Sequence, residues 1–318
     1  MLGNAAVASS DGATAMRGAL DSLSRVLVAC DFSPGAERAL KRAVRLPLAK
    51  GATVEIMHAL PPAVPTRART GMEAQAREAL EHAARRTRQA AAAAGRELVV
   101  NTELVAGQAF EQIVRRSQAI DAELVLVGGH EHRPLRDFFV TSTPQRVVRN
   151  GDAAVLVVRL EPSRPYVRPL LATDLDDGAR LTVDLALRLL TADARSVTVL
   201  HAFRSPYLGF ASASFSDGER REYRRLFKHE ARARLNQLLS GWADGRPHFR
   251  PVVCEGTPGP VILNQARRRD TDLIVLGTHS RSRVAHTLLG WVPEWVLARA
   301  PCDVLLRQPE RRTLEPSK

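Results

Sequence analysis

The sequence repeats itself at a fixed distance, and this repeat constrains the fold more than any other feature. Asp121–His130 reads DAELVLVGGH and Asp270–His279 reads DTDLIVLGTH, so the copies lie 149 residues apart (270 − 121 = 149). Each copy is an apolar, β-branched run that ends in Gly-x-His, which is typical of a strand buried on both faces of a parallel sheet. The repeat therefore predicts one domain that has been duplicated and fused.

The elements around the two copies also recur. A strand that ends in Asp31 is matched by one that ends in Asp174, and His58 is matched by His201 (174 − 31 = 201 − 58 = 143). Strands alternate with helices in both copies, which predicts parallel sheets with right-handed crossovers. We therefore expect an α/β protein of two domains, each with a five-stranded parallel sheet and flanking helices.

The domain boundaries follow from where this pattern starts and stops. We expect domains over residues 23–160 and 169–308, joined by a stiff, proline-containing linker over residues 161–168. Residues 1–22 are small and polar and are expected to form a disordered lead-in, and residues 309–318 form a tail.

Duplication also predicts how the halves associate. A duplicated domain can pair with its own copy, and the fifth strand of each copy is a natural edge through which to pair. We therefore expect an intramolecular pseudo-dimer about a pseudo-twofold axis, with homodimerisation of the whole chain left open. The residues expected near this interface are Val155, Val157, Val304 and Leu306.

Composition excludes some partners. The net charge is +12, but the arginines that carry most of it are spread over both halves, whereas a nucleic-acid site wants clustering on one face. Nucleic acid is therefore not expected as a partner. No apolar run approaches the ~20 residues that cross a bilayer, so a membrane is not expected as a partner either.

The three cysteines lie in apolar runs and are expected to be buried and reduced, in a cytoplasmic protein; they are Cys30, Cys254 and Cys302. Abundant arginine and alanine are typical of a GC-rich bacterial genome.

Two such units, each with Asp after its first strand and Gly-x-His after its fourth, resemble a tandem universal stress protein. The second copy is the closer match, because residues 276–290 and 294–306 follow the family's C-terminal signature almost throughout. The resemblance covers about residues 24–159 and 168–307. It implies two Rossmann-like domains (flavodoxin/adenine nucleotide α-hydrolase-like), each with strand order 3-2-1-4-5 and a site between strands one and four.

ATP-binding members of this family carry Gly-x-x-Gly, nine further residues and then Gly-Ser/Thr. The glycine N–H groups surround phosphate oxygens, and the helix start after Gly-Ser adds N–H groups and a hydroxyl. The second domain keeps Gly277 and Gly290, but Ser280 replaces the second glycine and Trp291 the hydroxyl residue. Arg283 replaces a further loop glycine.

The second domain nevertheless offers donors to a nucleotide. Arg281 and Arg283 supply positive charge for a phosphate, and the resemblance implies that Asp174 accepts from the adenine amino group. The candidate nucleotide-binding residues are Asp174, Gly277, Thr278, Ser280, Arg281, Arg283 and Gly290. The alternative, that Arg283 fills the space of the missing glycine and Trp291 covers the pocket, stays open.

The first domain carries a degenerate version of the same site. Asp31, Gly128 and Ser142 stand at family positions, but Glu131 brings negative charge to where a triphosphate would lie. Pro134 also removes an N–H donor. We therefore expect no ATP in the first domain.

Other candidate chemistry is weaker. His130-Glu-His132 offers two imidazoles without further ligands at useful spacing, so no metal site is expected. The recurrence of His58 and His201 indicates a shared structural role or a place lining the cleft. Cys30 beside Asp31 has no indicated general base, and the sequence shows no nucleophile–base–orienter set. We therefore expect no enzyme activity.

The sequence thus favours a non-catalytic stress-response or regulatory protein that acts through contacts with an unknown protein partner. No cofactor is firmly implied. The alternative function is that of an ATP-binding sensor that uses the second domain only.

Overall fold

The structure, a computed structural model, describes residues 22–63, 66–129, 142–176, 178–204, 216–242, 247–277 and 290–307. The expected lead-in, apart from Ser22, and the tail lie outside these ranges. The strands are β1 (Arg25–Ala29), β2 (Ala52–Leu60), β3 (Leu98–Ala106), β4 (Leu124–Gly128), β5 (Ala154–Val158), β6 (Pro169–Ala172), β7 (Ser196–Phe203), β8 (His248–Glu255), β9 (Leu273–Gly277) and β10 (Asp303–Arg307).

Helices alternate with these strands, as the sequence predicts. They are α1 (Pro34–Arg45), α2 (Thr66–Ala93), α3 (Ala109–Ala119), α4 (Thr143–Asn150), α5 (Ala179–Arg188), α6 (Asp217–Leu239), α7 (Pro258–Arg268) and α8 (Trp291–Arg299). A short 3₁₀ turn, Ser240–Trp242, follows α6. None of the helices in the described ranges has an apolar stretch long enough to span a bilayer.

All ten strands belong to one sheet, in the order β3-β2-β1-β4-β5-β10-β9-β6-β7-β8. Pairing is parallel within each half, so the predicted order 3-2-1-4-5 is found in both. The second half repeats it through β8, β7, β6, β9 and β10. The halves meet where β5 and β10 pair antiparallel. The carboxyl ends of the strands therefore point to opposite edges of the sheet in the two halves.

The predicted pairing through the fifth strands is confirmed. The paired residues are Val304 with Val157, Leu305 with Leu156 and Leu306 with Val155. Each of these side chains is almost fully buried, so the junction between the halves is part of a continuous core. We refer to this junction as the seam.

Apolar layers cover both faces of the sheet, which explains why the strand sequences are continuously hydrophobic. Helices α1, α2, α5 and α6 pack on one face, with Ala39, Leu80, Val183 and Leu235 in the same cluster. Helices α3, α4, α7 and α8 pack on the other, with Ile113, Val148, Leu263 and Val296 in a second cluster. Burial of the three cysteines is confirmed for Cys30 and Cys302, whereas Cys254 on the edge strand β8 is only half-buried.

The segment between β5 and β6 is hydrogen-bonded to the second half through two carboxylates. Asp303 accepts hydrogen bonds from the backbone N–H groups of Arg159 (2.7 Å) and Leu160 (2.8 Å). Asp272 accepts from the N–H groups of Val167 (2.8 Å) and Arg168 (3.0 Å). The expected stiffness of this linker therefore comes from hydrogen bonds at both ends as well as from its prolines.

Glu123, just before β4, connects the two halves. It accepts hydrogen bonds from the N–H groups of Ser24 (2.7 Å) and Arg25 (3.1 Å), and it pairs with Arg188 on α5. Burial raises the pKa of this carboxyl, but the hydrogen bonds from Ser24, Arg188 and Arg25 outweigh burial, so the pKa lies below its ordinary value of 4.5.

We expect Glu123→Gln to remove part of the pH dependence of unfolding. A carboxyl whose pKa is lowered by folding contributes stability that is present above about pH 4.5 and is lost as the pH falls through the folded pKa. In urea unfolding, the difference in stability between wild type and variant should therefore shrink as the pH falls. Glu97→Gln, which breaks the exposed pair with Lys50, is the matched control and should follow the wild type. A difference that is constant with pH would contradict this assignment.

Candidate functional site

Two cavities lie at the carboxyl ends of the central strands, one in each half. The second-half cavity, at the ends of β6 and β9, has a volume of about 220 Å³. The first-half cavity, at the ends of β1 and β4, has a volume of about 150 Å³. Because the halves are antiparallel, the cavities open at opposite edges of the sheet. These are the positions at which ligands bind in open parallel sheets.

The second-half cavity brings together the described members of the predicted nucleotide site. Asp174, Gly277 and Gly290 all line it. Thr278, Ser280, Arg281 and Arg283 lie outside the described residues, in the segment that joins Gly277 to Gly290. The remaining walls include Thr182 of α5, Leu200 of β7, Ile262 of α7 and Trp291 of α8. Asp176, just before α5, completes the polar part of the lining.

Charge in the described lining of this cavity is negative. Asp174 is exposed and makes no hydrogen bond within the described part of the chain, whereas Asp176 accepts from the N–H of Gly178 (3.1 Å). Two carboxylates favour the amino and hydroxyl groups of a ligand and oppose its phosphates. Sequence analysis missed Asp176, although its place two residues after Asp174 at a strand end was a signal.

The first-half cavity is smaller, and two of its polar side chains, Asp31 and His58, already have hydrogen-bond partners. Asp31 accepts a hydrogen bond from the N–H of Ser33 (3.0 Å). Ser33 in turn caps α1 by accepting from the N–H of Ala36 (3.2 Å). Gly128 lines this cavity beside Thr143 and Pro144 of α4. Glu131 lies outside the described residues.

Gly128 serves a different purpose from the one its position suggests. A Cβ on this residue would lie 2.3 Å from the carbonyl carbon of Gly35 and 2.6 Å from the nitrogen of Ala36. The close approach that this glycine allows is therefore to the backbone at the start of α1. In the first half, the packing of the start of α1 against the end of β4 is therefore sufficient reason for a glycine at this family position.

The two helices that follow the fourth strands begin differently. Before α4, the N–H of Ser142 (2.9 Å) and its hydroxyl (3.2 Å) both donate to the side-chain oxygen of Gln145. The hydroxyl at the family's phosphate position is therefore engaged within its own helix. At α8, Gly290 has φ 68°, and among the described residues no side chain caps the start of the helix. Trp291 follows directly and lines the cavity.

The recurring histidines have the same contact in both halves. Nδ1 of His58 lies 2.7 Å from the carbonyl oxygen of Cys30, and Nδ1 of His201 lies 2.9 Å from that of Thr173. Because a carbonyl oxygen only accepts, Nδ1 donates in each case. Both expected roles apply to His58, which holds β2 to the end of β1 and also lines the first-half cavity.

The described residues offer these cavities neither an activated thiol nor a cluster of metal ligands. Burial, the largest influence, raises the pKa of the Cys30 thiol to about 11, so the thiol is protonated near neutral pH. Across the described ranges, no three His, Cys, Asp or Glu side chains cluster as metal ligands do. His130 and His132 lie outside those ranges.

Both halves of the chain match the same protein family. The model of the universal stress protein family matches residues 23–159 and again residues 166–307. A universal stress protein of Mycobacterium bovis is 24% identical over 311 residues, which cover 88% of this chain and 94% of the relative. One of Thermus aquaticus is 32% identical over 139 residues, which cover 43% of this chain and 95% of the relative.

Solved structures show the same fold. The crystal structure of a universal stress protein from Archaeoglobus fulgidus aligns with a TM-score of 0.63 at 16% identity, covering 90% of this chain and 98% of that one. The family match takes in both halves, each with the parallel sheet that the repeat predicts. The chain therefore belongs to the universal stress protein family, as a tandem member.

Proposed function

We propose that this protein is a non-catalytic stress-response protein that acts through contacts with other proteins, and that its second half alone senses an adenine nucleotide. The observation that carries the proposal is the asymmetry between two cavities at equivalent places. The second is larger, with an uncapped helix start and an exposed carboxylate at Asp174. The first is smaller, and its carboxylate Asp31 already accepts a hydrogen bond from the N–H of Ser33.

The polar environment supports binding of the base and ribose in the described part of the second-half cavity. Asp174 is free to accept from an exocyclic amine, as the family resemblance implies for adenine. Phosphates would then extend toward the segment that contains Arg281 and Arg283, because Asp174 and Asp176 repel them.

The lack of turnover is supported by how the reactive groups are held. The Cys30 thiol is protonated near neutral pH, since burial raises its pKa to about 11. His58 uses Nδ1 on a backbone carbonyl, and Asp31 is bonded to an N–H rather than to the imidazole. Such groups lack the nucleophile–base–orienter geometry that catalysis requires.

The helices that wall the second-half cavity also contact the first half, which supports a sensing role. Helix α5 lines the cavity through Thr182 and ends in Arg188, which pairs with Glu123. Helix α8 lines it through Trp291 and carries Glu294, which pairs with Arg149 on α4. A ligand that moved either helix would change these ion pairs between the two halves.

Calorimetric titration with ATP and magnesium tests this proposal. We expect one site per chain, and a roughly ten- to hundredfold weaker affinity in Asp174→Ala, because a hydrogen bond to a charged group is lost. Asp31→Ala is the matched control and should bind as the wild type does. ATP should be recovered intact after incubation with the protein.

Two outcomes would count against it. Binding that survives Asp174→Ala but disappears with Asp31→Ala would place the site in the first half. A hydrolase or kinase activity that a single substitution abolishes would contradict the non-catalytic assignment. Absence of ATP binding would leave only the contact-based function.

A further inference from the structure

The indole of Trp291 is half-exposed, so packing in the core does not explain why this position carries a large aromatic side chain. It is 50% exposed, yet it lines the second-half cavity between Gly290 and Val292. Its indole gives this cavity an aromatic wall, and ligand pockets are lined mainly by apolar and aromatic side chains with a few polar groups that orient the ligand. At the equivalent position the first half has Ser142, whose hydroxyl donates to Gln145.

The indole of Trp291 has a fixed support. Its ring centroid lies 5.0 Å from that of Trp295, with 34° between the ring planes. The guanidinium carbon of Arg299 lies 3.7 Å from the Trp295 ring centroid. A Cβ at Gly259 would come within 2.6 Å of Trp295, so Trp295 is seated directly on the α7 backbone. Trp291 is thus the exposed end of a layered aromatic stack.

The charged groups in the cavity lining indicate which kind of ligand could stack on Trp291. Asp174 and Asp176 are acidic, and the described lining contains no basic side chain to balance them. A flat ring that carries amino groups can stack on the indole and donate hydrogen bonds to the carboxylates, whereas a phosphate can do neither.

We propose that Trp291 stacks on the planar base of the ligand and is the residue that makes this cavity select a nucleobase. This inference rests on the proposed nucleotide site in the second half and names its recognition element. Stacking of a base on an aromatic side chain is independent of the phosphates, so Trp291 should contribute equally to the binding of a nucleoside and of its triphosphate.

The experiment compares adenosine with ATP and magnesium in the full-length protein. Calorimetric titration should show that Trp291→Ala weakens both ligands by the same factor, roughly ten- to a hundredfold. Trp291→Phe keeps a ring and should retain most of the affinity. Adenosine should quench the tryptophan fluorescence of the wild type, and much of that quenching should be absent in Trp291→Phe.

Trp242→Phe is the matched control. Trp242 packs against Phe249 and Arg180 rather than in the cavity lining, so its removal should leave affinity and quenching unchanged. Thermal melting of Trp291→Phe should match the wild type, because phenylalanine keeps a ring that can pack on Trp295.

The outcomes separate this inference from the proposed function. A loss confined to ATP would mean that Trp291 acts on the phosphates, and tighter binding in Trp291→Ala would mean that the indole closes the cavity. Either result overturns the inference while the nucleotide site stands. Binding abolished by Asp174→Ala but unaffected by Trp291→Ala would do the same. Absence of binding by the wild type to both compounds would overturn the inference and the nucleotide site together.

Discussion

Replacement of Asp303 by alanine should lower the free energy of unfolding by about 3–5 kcal/mol, the cost of leaving a buried charge without its partner. Asp303 is fully buried, and Nε of Arg42 lies 3.3 Å from its carboxylate. The hydroxyl of Tyr166 donates to the same carboxylate at 2.6 Å. The N–H groups of Arg159 and Leu160 donate to its other oxygen.

The alanine variant would leave three buried donors, the Tyr166 hydroxyl and the N–H groups of Arg159 and Leu160, without an acceptor, and it would leave the Arg42 guanidinium buried without its counter-charge. Arg42 would be the most costly, since its side chain is 4% exposed and its guanidinium carbon lies 4.1 Å from the Tyr166 ring centroid. Burial is the largest influence on the pKa of Asp303 and raises it above its ordinary value, although Arg42 and the hydrogen bonds act in the opposite direction. Since the carboxyl is fully buried, these partners take the place of water around it.

An exposed ion pair provides the matched control. Lys41 and Glu161 lie 2.6 Å apart with side chains 46% and 62% exposed, so Glu161→Ala should cost less than about 1 kcal/mol. Urea unfolding near neutral pH measures both variants. If Asp303→Ala were as stable as Glu161→Ala, the buried network would not be holding the halves together. Asp303→Asn should fall between wild type and alanine, because its amide keeps an acceptor for the linker but loses the charge opposite Arg42.

This network occurs on only one side of the pseudo-twofold axis. The residues equivalent to Arg42, Tyr166 and Asp303 by the offsets of the repeat are Leu185 (42 + 143), Leu23 (166 − 143) and Ala154 (303 − 149). All three of these are buried and apolar. Symmetric pairing of two second halves would bring Leu185, rather than Arg42, to Asp303. The polar network therefore fits the pairing of a first half with a second half.

Sequence predicted the architecture because the information is carried by whole runs of residues. The apolar stretches at Asp121–His130 and Asp270–His279 are long enough to identify buried strands, and their fixed offset identifies the duplication. Strand order and pairing through the fifth strands then follow from the family resemblance and the edge argument. These are collective properties that no single substitution alters.

Single contacts were not predictable in the same way. Asp303 was visible as a lone charge at the start of an apolar run where the first copy has Ala154, but its partners lie 137 and 261 residues away along the chain (303 − 166 and 303 − 42). Asp176 and the support of Trp291 by Trp295 likewise depend on how α5 and α8 are placed. Asp174, Gly277 and Gly290, which the sequence placed in one candidate site, do line one cavity, because the first two lie at the ends of β6 and β9 and the third begins α8. Binding of a nucleotide there stays a prediction.

Gly128→Ala should also be strongly destabilising, by about 3 kcal/mol or more, since overpacking against rigid surroundings is costly. The added carbon would lie 2.3 Å from the carbonyl carbon of Gly35 and 2.6 Å from the nitrogen of Ala36. Both atoms belong to backbone, so no flexible side chain can move to make room. The start of α1 would have to shift from β4, and the first-half cavity between Asp31 and Gly128 would change shape with it.

Gly71→Ala separates this steric effect from the general effect of adding a methyl group. Gly71 lies within α2, where an added carbon would meet nothing within 4 Å, so alanine should stabilise the protein by up to about 1 kcal/mol through helix propensity. The two variants should therefore move the urea midpoint in opposite directions. A Gly128→Ala protein with wild-type stability would show that α1 can move from the end of β4 without cost. The role of this glycine would then return to the ligand-facing one that its position in the sequence suggests.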